Sequence, residues 1–384
     1  MNILPRLIAT ATAALVLAGP ACAADLKIGF ISSMSGPVSG LGIPYAKGIQ
    51  TALARYPQIA GRKVQLIALD DASDPTIAAR NARKLVTEDH VDVLIGTSGV
   101  PGAMAIASVA RELKTPLISP TPVTVPADDG GWTITVSQPF PLMVAAVVER
   151  MKASGVKSVA YIGFSDALGD LAYDSLIQAT GPAGIKVVAN ERYARSDSSV
   201  AGQVLKIMAA RPDAVFAGNS GSPGALPYLA LAERGYKGQI YGSHGLINAD
   251  FVRVAGSSAN GLMVPSGPVM VADQLPADNP VRKVALEFRE AYKKAEGGLP
   301  VDAFSAYTYD AYLVFADAAT RALKGGAEPG TPQFRGALKA AIATTHELVG
   351  THGIYNFKPN DAYGLDQRSA VVIKLDKGQW KLVP

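Results

Sequence analysis

The sequence predicts an α/β fold built as two doubly wound lobes, and three observations predict it. Short continuous apolar runs alternate with segments of helical period, as parallel strands buried on both faces require. The alternation runs to about residue 136 and restarts at Ser158. After residue 270 three helical segments follow one another before a final hairpin, which is explained if the chain crosses back to the first lobe. Several such crossings make a hinge.

In the first set, Leu26–Ile31 reads as a strand, followed by the turn formers Ser32–Pro37 and a helix with Ala46, Ile49, Leu53 and Tyr56 on one face. Val64–Leu69 is the next strand and runs into Asp70-Asp71-Ala72-Ser73-Asp74-Pro75. Asp74 suits an N-cap with Pro75 at the first helical position, opening a helix to about Glu88. Val91–Ile95 is a buried strand, and Met104, Ala107, Val109 and Ala110 continue at roughly helical spacing. Leu117–Ile118 and Trp132–Val136 complete the set, and Pro139–Ser154 is a linker feeding a helix. In the second set the strands are Ser158–Ile162, Lys186–Ala189, Ala214–Phe216, Gln239–Tyr241 and Leu262–Val264. Helices start near Leu168, Ser199 and Pro223, with Ser198 and Ser222 as caps. Pro280–Glu296, Asp302–Leu323 and Thr331–Thr344 are helical, and Ser369–Leu375 with Gln379–Val383 form the hairpin.

Composition narrows the function. With 384 residues, 48% hydrophobic and 18% charged, the chain can bury two cores and is not a disordered one. A formal charge of +4 without basic–aromatic clusters argues against nucleic acid. Met1–Ala23, with Arg6, an apolar run to Ala18 and Ala21-Cys22-Ala23, reads as a secretory signal peptide cleaved after Ala23. That removes the only cysteine; a lipidated Cys22 competes with this reading. Nothing later is long and apolar enough to span a bilayer.

The stretch 91–122 carries the candidate site. Loops after parallel strands lie on the edge where ligands bind. Gly96-Thr97-Ser98-Gly99-Val100-Pro101 enters a helix, whose free N–H groups and positive dipole end suit a carboxylate. Plain connection of two elements is the competing reading of this loop.

Together these features resemble the branched-chain amino acid type of periplasmic solute-binding protein, the receptor of an ABC importer. The resemblance rests on Lys27-Ile28-Gly29-Phe30, Met34-Ser35-Gly36-Pro37, Asp70–Pro75, Ile95-Gly96, Ile118-Ser119-Pro120, Gly242-Ser243-His244-Gly245 and Tyr309-Asp310-Ala311. It implies two Rossmann-like lobes of the type I periplasmic fold closing on one ligand. It also implies three crossings, near 138–142, 268–272 and 349–353, a membrane permease as partner, no cofactor and a periplasmic monomer. Lobe 1 is then 24–140 plus 271–350, and lobe 2 is 141–270 plus 351–384. The cysteine pair of amino-acid-binding relatives would match Ser73 and Gly99, so that bridge is absent. Their acidic partner for the ligand ammonium matches His244, which is neutral or positive near pH 7 and cannot replace it. Leu41 and Leu168 stand where such relatives carry Tyr, which implies a wider, apolar cavity. An aromatic acid of benzoate or phenylpropenoate type is therefore expected, with an amino acid as the alternative and delivery to a sensor kinase as a second alternative.

The expected contacts are Ser98, Gly99, the Val100 amide and Thr121, with turn capping as the rival role for Ser98 and Thr121. His244 would reach a ring hydroxyl or second acid group. Leu41, Phe140, Phe164 and Leu168 wall the pocket or simply pack in the core; Asn219 and Ser220 add polar contacts from lobe 2. Tyr307 and Tyr309 read as helix packing, and Asp70, Asp71 and Asp74 lack a calcium-loop pattern. No Gly-x-Ser-x-Gly elbow, zinc-protease helix, phosphate loop or complete dinucleotide fingerprint occurs, so no enzyme is expected, an exported hydrolase being the distant alternative.

Overall fold

The computed structural model describes residues 24–126, 129–359 and 361–383. The signal-peptide reading and Cys22 lie outside the described residues. Two parallel-dominated sheets form the cores of two lobes. The first runs β2 (Gln58–Ile59), β3 (Arg62–Asp70), β1 (Leu26–Ser32), β4 (Val93–Gly96), β5 (Leu117–Ser119) and β6 (Thr133–Thr135) in spatial order. Its central pairs are parallel, as with Ile28 beside Val93. The second runs β15 (Gln379–Leu382), β14 (Val371–Asp376), β11 (Met263–Ser266), β10 (Gln239–Gly242), β9 (Ala214–Gly218), β7 (Ser158–Phe164) and β8 (Lys186–Tyr193). The C-terminal hairpin thus closes the second sheet, joined antiparallel to β11. A small ladder, β12 (Leu348–Val349) with β13 (Ile354–Tyr355), sits apart.

Helices cover both faces of each sheet. In the first lobe α2 (Pro75–Thr87) and α3 (Val100–Glu112) pack on one side, and α1 (Ser39–Arg55) on the other. Asp74 does cap α2, accepting from Thr76 N at 2.6 Å and Ile77 N at 3.0 Å. The buried face of α1 is Leu41, Tyr45, Ile49 and Ala52, one position out of step with the expected one, so Tyr56 is left at the surface. In the second lobe stand α4 (Phe140–Ala153), α5 (Ala167–Ala183), α6 (Ala201–Ala210), α7 (Leu226–Glu233) and α8 (Ala249–Ala255). Ser198 and Ser222 are not caps: Val200 precedes α6, and Ser222–Ala225 form a 3-10 turn that leads into α7. Asp166 caps α5 instead.

The three late helices return to the first lobe, α9 (Pro280–Glu296), α10 (Phe304–Lys324) and α11 (Pro332–Ile342), where α10 lies along α1. Gly48 makes that contact possible, since a Cβ there would stand 1.8 Å from Ser305 O. The last crossing comes later in the chain than the sequence suggests. Ile354, Tyr355, Phe357 and Leu365 pack into the first lobe's core, so 354–365 stays there and only 366–370 leads to β14. Burial of these apolar side chains outweighs the shorter route.

The crossings converge on a buried polar cluster. Gln138 accepts from Tyr307 Oη at 2.6 Å and donates to Ser369 O at 2.9 Å. Asp310 accepts from Thr351 N, His352 N and Tyr355 Oη at 2.8, 3.1 and 2.8 Å. His352 stacks on Tyr307 with ring centroids 3.7 Å apart. A Cβ on Gly267 would lie 1.9 Å from His352 Nδ1, so the second crossing passes only as glycine.

Gly48→Ala should therefore lower the thermal midpoint, by about 1–3 kcal/mol of overpacking. Gly336→Ala, mid-α11 with nothing within 4 Å of its Cβ, should raise it by up to about 1 kcal/mol. Calorimetric melting of both variants checks this, and the opposite signs would contradict the α1–α10 contact.

Candidate functional site

The carboxyl ends of both sheets face each other across a cleft, and the loops leaving those ends supply its walls. Leu41, Ser98, Gly99, Val100, Thr121, Leu168, Ser220 and His244 line one inner cavity there. Eight of the eleven expected residues are thus brought together from two lobes. Phe140, Phe164 and Asn219 are not on its surface. Phe140 lies behind His244, ring centroids 5.5 Å apart, and Asn219 Nδ2 donates to Tyr193 Oη at 3.0 Å. Phe164 belongs to the second lobe's core. These three support the wall from a layer further in.

The cavity is small, about 20 Å³, and adjoins a space of about 140 Å³ lined by Ser33, Val38, Asp71, Thr97 and Asp166. The wider cavity expected from Leu41 and Leu168 is not present in this arrangement, where the rings of Tyr45 and Phe304 share the lining with them. A larger cavity, about 340 Å³, opens elsewhere among Val123, Pro126, Lys339 and Tyr363. No described side chain lining it holds a buried polar atom lacking a partner.

Several polar side chains at the cleft are engaged internally. Ser98 Oγ accepts from Ser33 N at 3.0 Å and pairs with Ser32 Oγ at 2.9 Å. Thr121 Oγ1 donates to Thr97 O at 2.5 Å. These hydroxyls fix the loops, and what the loops offer a guest is the main-chain N–H at the start of α3. Asp71 accepts from Ser33 Oγ, Thr97 Oγ1 and Ser73 N. Asp70 holds Met34 N, Ser35 Oγ and Ala72 N. Both carboxylates are thereby tied to the loops around β1 and β3. Tyr307 packs at the crossings, as helix-packing residues do.

His244 differs. It is 6% exposed, and its Nδ1 makes no hydrogen bond. Burial lowers its imidazole to about 4, so it is neutral at ordinary pH. None of the described residues lining the inner cavity carries a carboxylate. Arg195, Tyr45, Phe304, Ser243 and Gly245 line the same cavity and were missed. Tyr45, which donates to Pro120 O at 2.9 Å, falls on the face that the misphased α1 pattern left out. Ser243 and Gly245 flank His244 in its loop, a signal that could have been used. No signal in the sequence marked Arg195.

Residues 25–372 match the periplasmic binding protein family. An extracellular ligand-binding receptor from Rhodopseudomonas palustris HaA2 superposes with a TM-score of 0.90 at 39% identity, covering 94% of this chain and 100% of that one. A leucine binding protein from Thermotoga maritima gives a TM-score of 0.82 at 26% identity, covering 94% and 98%. By sequence, Leu/Ile/Val-binding protein homolog 3 of Brucella melitensis is 27% identical over 83% of this chain and 85% of its own length.

The buried rings set a pH dependence of stability. His244 titrates near 4 and His352 near 3 in the fold, against about 6.5 unfolded, chiefly through burial. The unfolded chain therefore takes up protons below pH 6.5 that the native state refuses, and stability falls with pH. Asp310 opposes this, because burial raises its carboxyl to about 6. Burial raises Asp302 and Asp92 as well, so the clean measure is His244 alone, about one proton, or about 1.4 kcal/mol per pH unit between pH 6 and 4. Thermal melting across that range should show stability falling more steeply with acid in the native chain than in His244→Gln by that amount; equal slopes would contradict neutral burial of His244.

Proposed function

The chain belongs to the periplasmic binding protein family, and we propose that it is the exported solute-binding receptor of an ABC importer, closing on a small carboxylate. The observation that carries this reading is the inner cavity. It combines the N–H end of α3 and Arg195, both suited to an anion, with apolar walls and no carboxylate side chain. Desolvating an ammonium there without a partner would cost several kcal/mol, on the scale of a buried charge that has lost its counterion. A guest larger than the inner cavity also reaches the adjoining space, where Asp71 and Asp166 are already bonded to Ser33, Thr97 and Arg195. We therefore read the ligand class as an acid without a charged amine, and the apolar walls with His244 favour a hydroxylated aromatic acid of benzoate or phenylpropenoate type. Closure follows from contacts that only the joined lobes provide, and the closed shape is what a membrane permease would engage.

A second reading has its own support. Relatives named for leucine, isoleucine and valine point to a branched-chain amino acid in the same cleft. The two readings share the carboxylate and differ in the amine.

Titration calorimetry with benzoate, 4-hydroxybenzoate, 4-hydroxycinnamate and leucine separates them. At least one aromatic acid should bind at least tenfold tighter than leucine. His244→Ala should weaken the hydroxylated acids about tenfold, the loss of one hydrogen bond worth about 1.4 kcal/mol, and leave benzoate nearly unchanged. Tight leucine binding with none of the aromatic acids would replace the first reading by the second.

A further inference from the structure

The second lobe places a cation at this cleft whose surroundings leave one side open. Arg195 follows β8, and its guanidinium is held on three sides. Nε donates to Asp166 Oδ2 at 2.6 Å, Nη1 donates to Ser220 Oγ at 3.2 Å, and Cζ lies 4.1 Å over the centroid of the Phe164 ring. The remaining nitrogen, Nη2, is buried and makes no hydrogen bond. Arg195 lines both the inner cavity and the adjoining space, beside Gly99 of the facing lobe in each. Asp166 does not use up this cation. Its other oxygen accepts from Leu168 N and Gly169 N at 3.0 and 3.2 Å, so its charge is shared with the positive end of α5.

We propose that Arg195 is the second lobe's anchor for the ligand carboxylate. One carboxylate oxygen takes the Val100 N–H at the start of α3 on the first lobe, and the other takes Nη2 of Arg195 on the second. The anchor rests on the reading of the cleft as a carboxylate site and holds for an aromatic acid and an amino acid alike. Three features favour it. A charge-assisted N–H···O bond is about twice as strong as a neutral one. The Phe164 face and Ser220 hydroxyl fix the guanidinium plane before the ligand arrives, which lowers the ordering cost of binding. A single charged group spanning the two lobes also gives the ligand an interaction that the open form lacks. Asp166 is then a positioning residue, acting through Arg195.

The test compares acids with their neutral amides. Wild type, Arg195→Gln and Asp166→Asn are titrated with 4-hydroxybenzoate and 4-hydroxybenzamide, and with leucine and leucinamide. In Arg195→Gln the affinity for the bound acid should fall at least 30-fold while that for its amide changes less than threefold, so the preference for the charged form collapses. Asp166→Asn should lose part of that preference, about three- to tenfold. Arg195→Lys, which keeps the charge but not the fork, should fall between wild type and Arg195→Gln, and it serves if the glutamine variant fails to fold. Should Arg195→Gln, or in its place Arg195→Lys, keep the wild-type preference for acid over amide, the anchor is overturned and the carboxylate site stands. Wild type that binds neither acid would overturn both.

Discussion

Two polar atoms at the cleft, Arg195 Nη2 and His244 Nδ1, are buried without a hydrogen-bond partner in the protein. A buried polar group left unpaired costs about 1–3 kcal/mol, more when it is charged. That penalty is the constraint around which the cleft is built. In the proposed reading it favours a guest that offers complementary atoms to both. Stability and specificity are thus set by the same two atoms.

The scaffold delivers these atoms by one rule applied in both halves. Ser98 follows β4, Thr121 follows β5, Leu168 follows β7, Arg195 follows β8, Ser220 follows β9 and His244 follows β10. Each stands just beyond the carboxyl end of a parallel strand, the edge where ligands bind in such sheets. Rigid sheets hold the loops to their positions, and the buried Gln138, Asp310 and His352 cluster joins the crossings between the lobes.

The strands were legible because burial on both faces demands uninterrupted apolar runs, and from them the loop residues Ser98, Thr121, Ser220 and His244 followed. What escaped was whatever depends on the third dimension. Arg195 sits in Ala194-Arg195-Ser196-Asp197, which reads as a solvated turn; its partner Asp166 is 29 residues away and meets it only because β7 and β8 are neighbours. Phe140 and Phe164 looked like wall residues because periodicity tells buried from exposed but not core from cleft. The path of 354–365 followed its own aromatic side chains to the first lobe, a packing choice that turn residues do not announce.

Val100 opens α3 in the first lobe, yet it is buried among the apolar side chains of the second, and Ala303 joins it there. Parting the lobes hands that contact to water. Apolar contacts of this kind weaken on cooling, so the grip of these two side chains on the second lobe loosens in the cold.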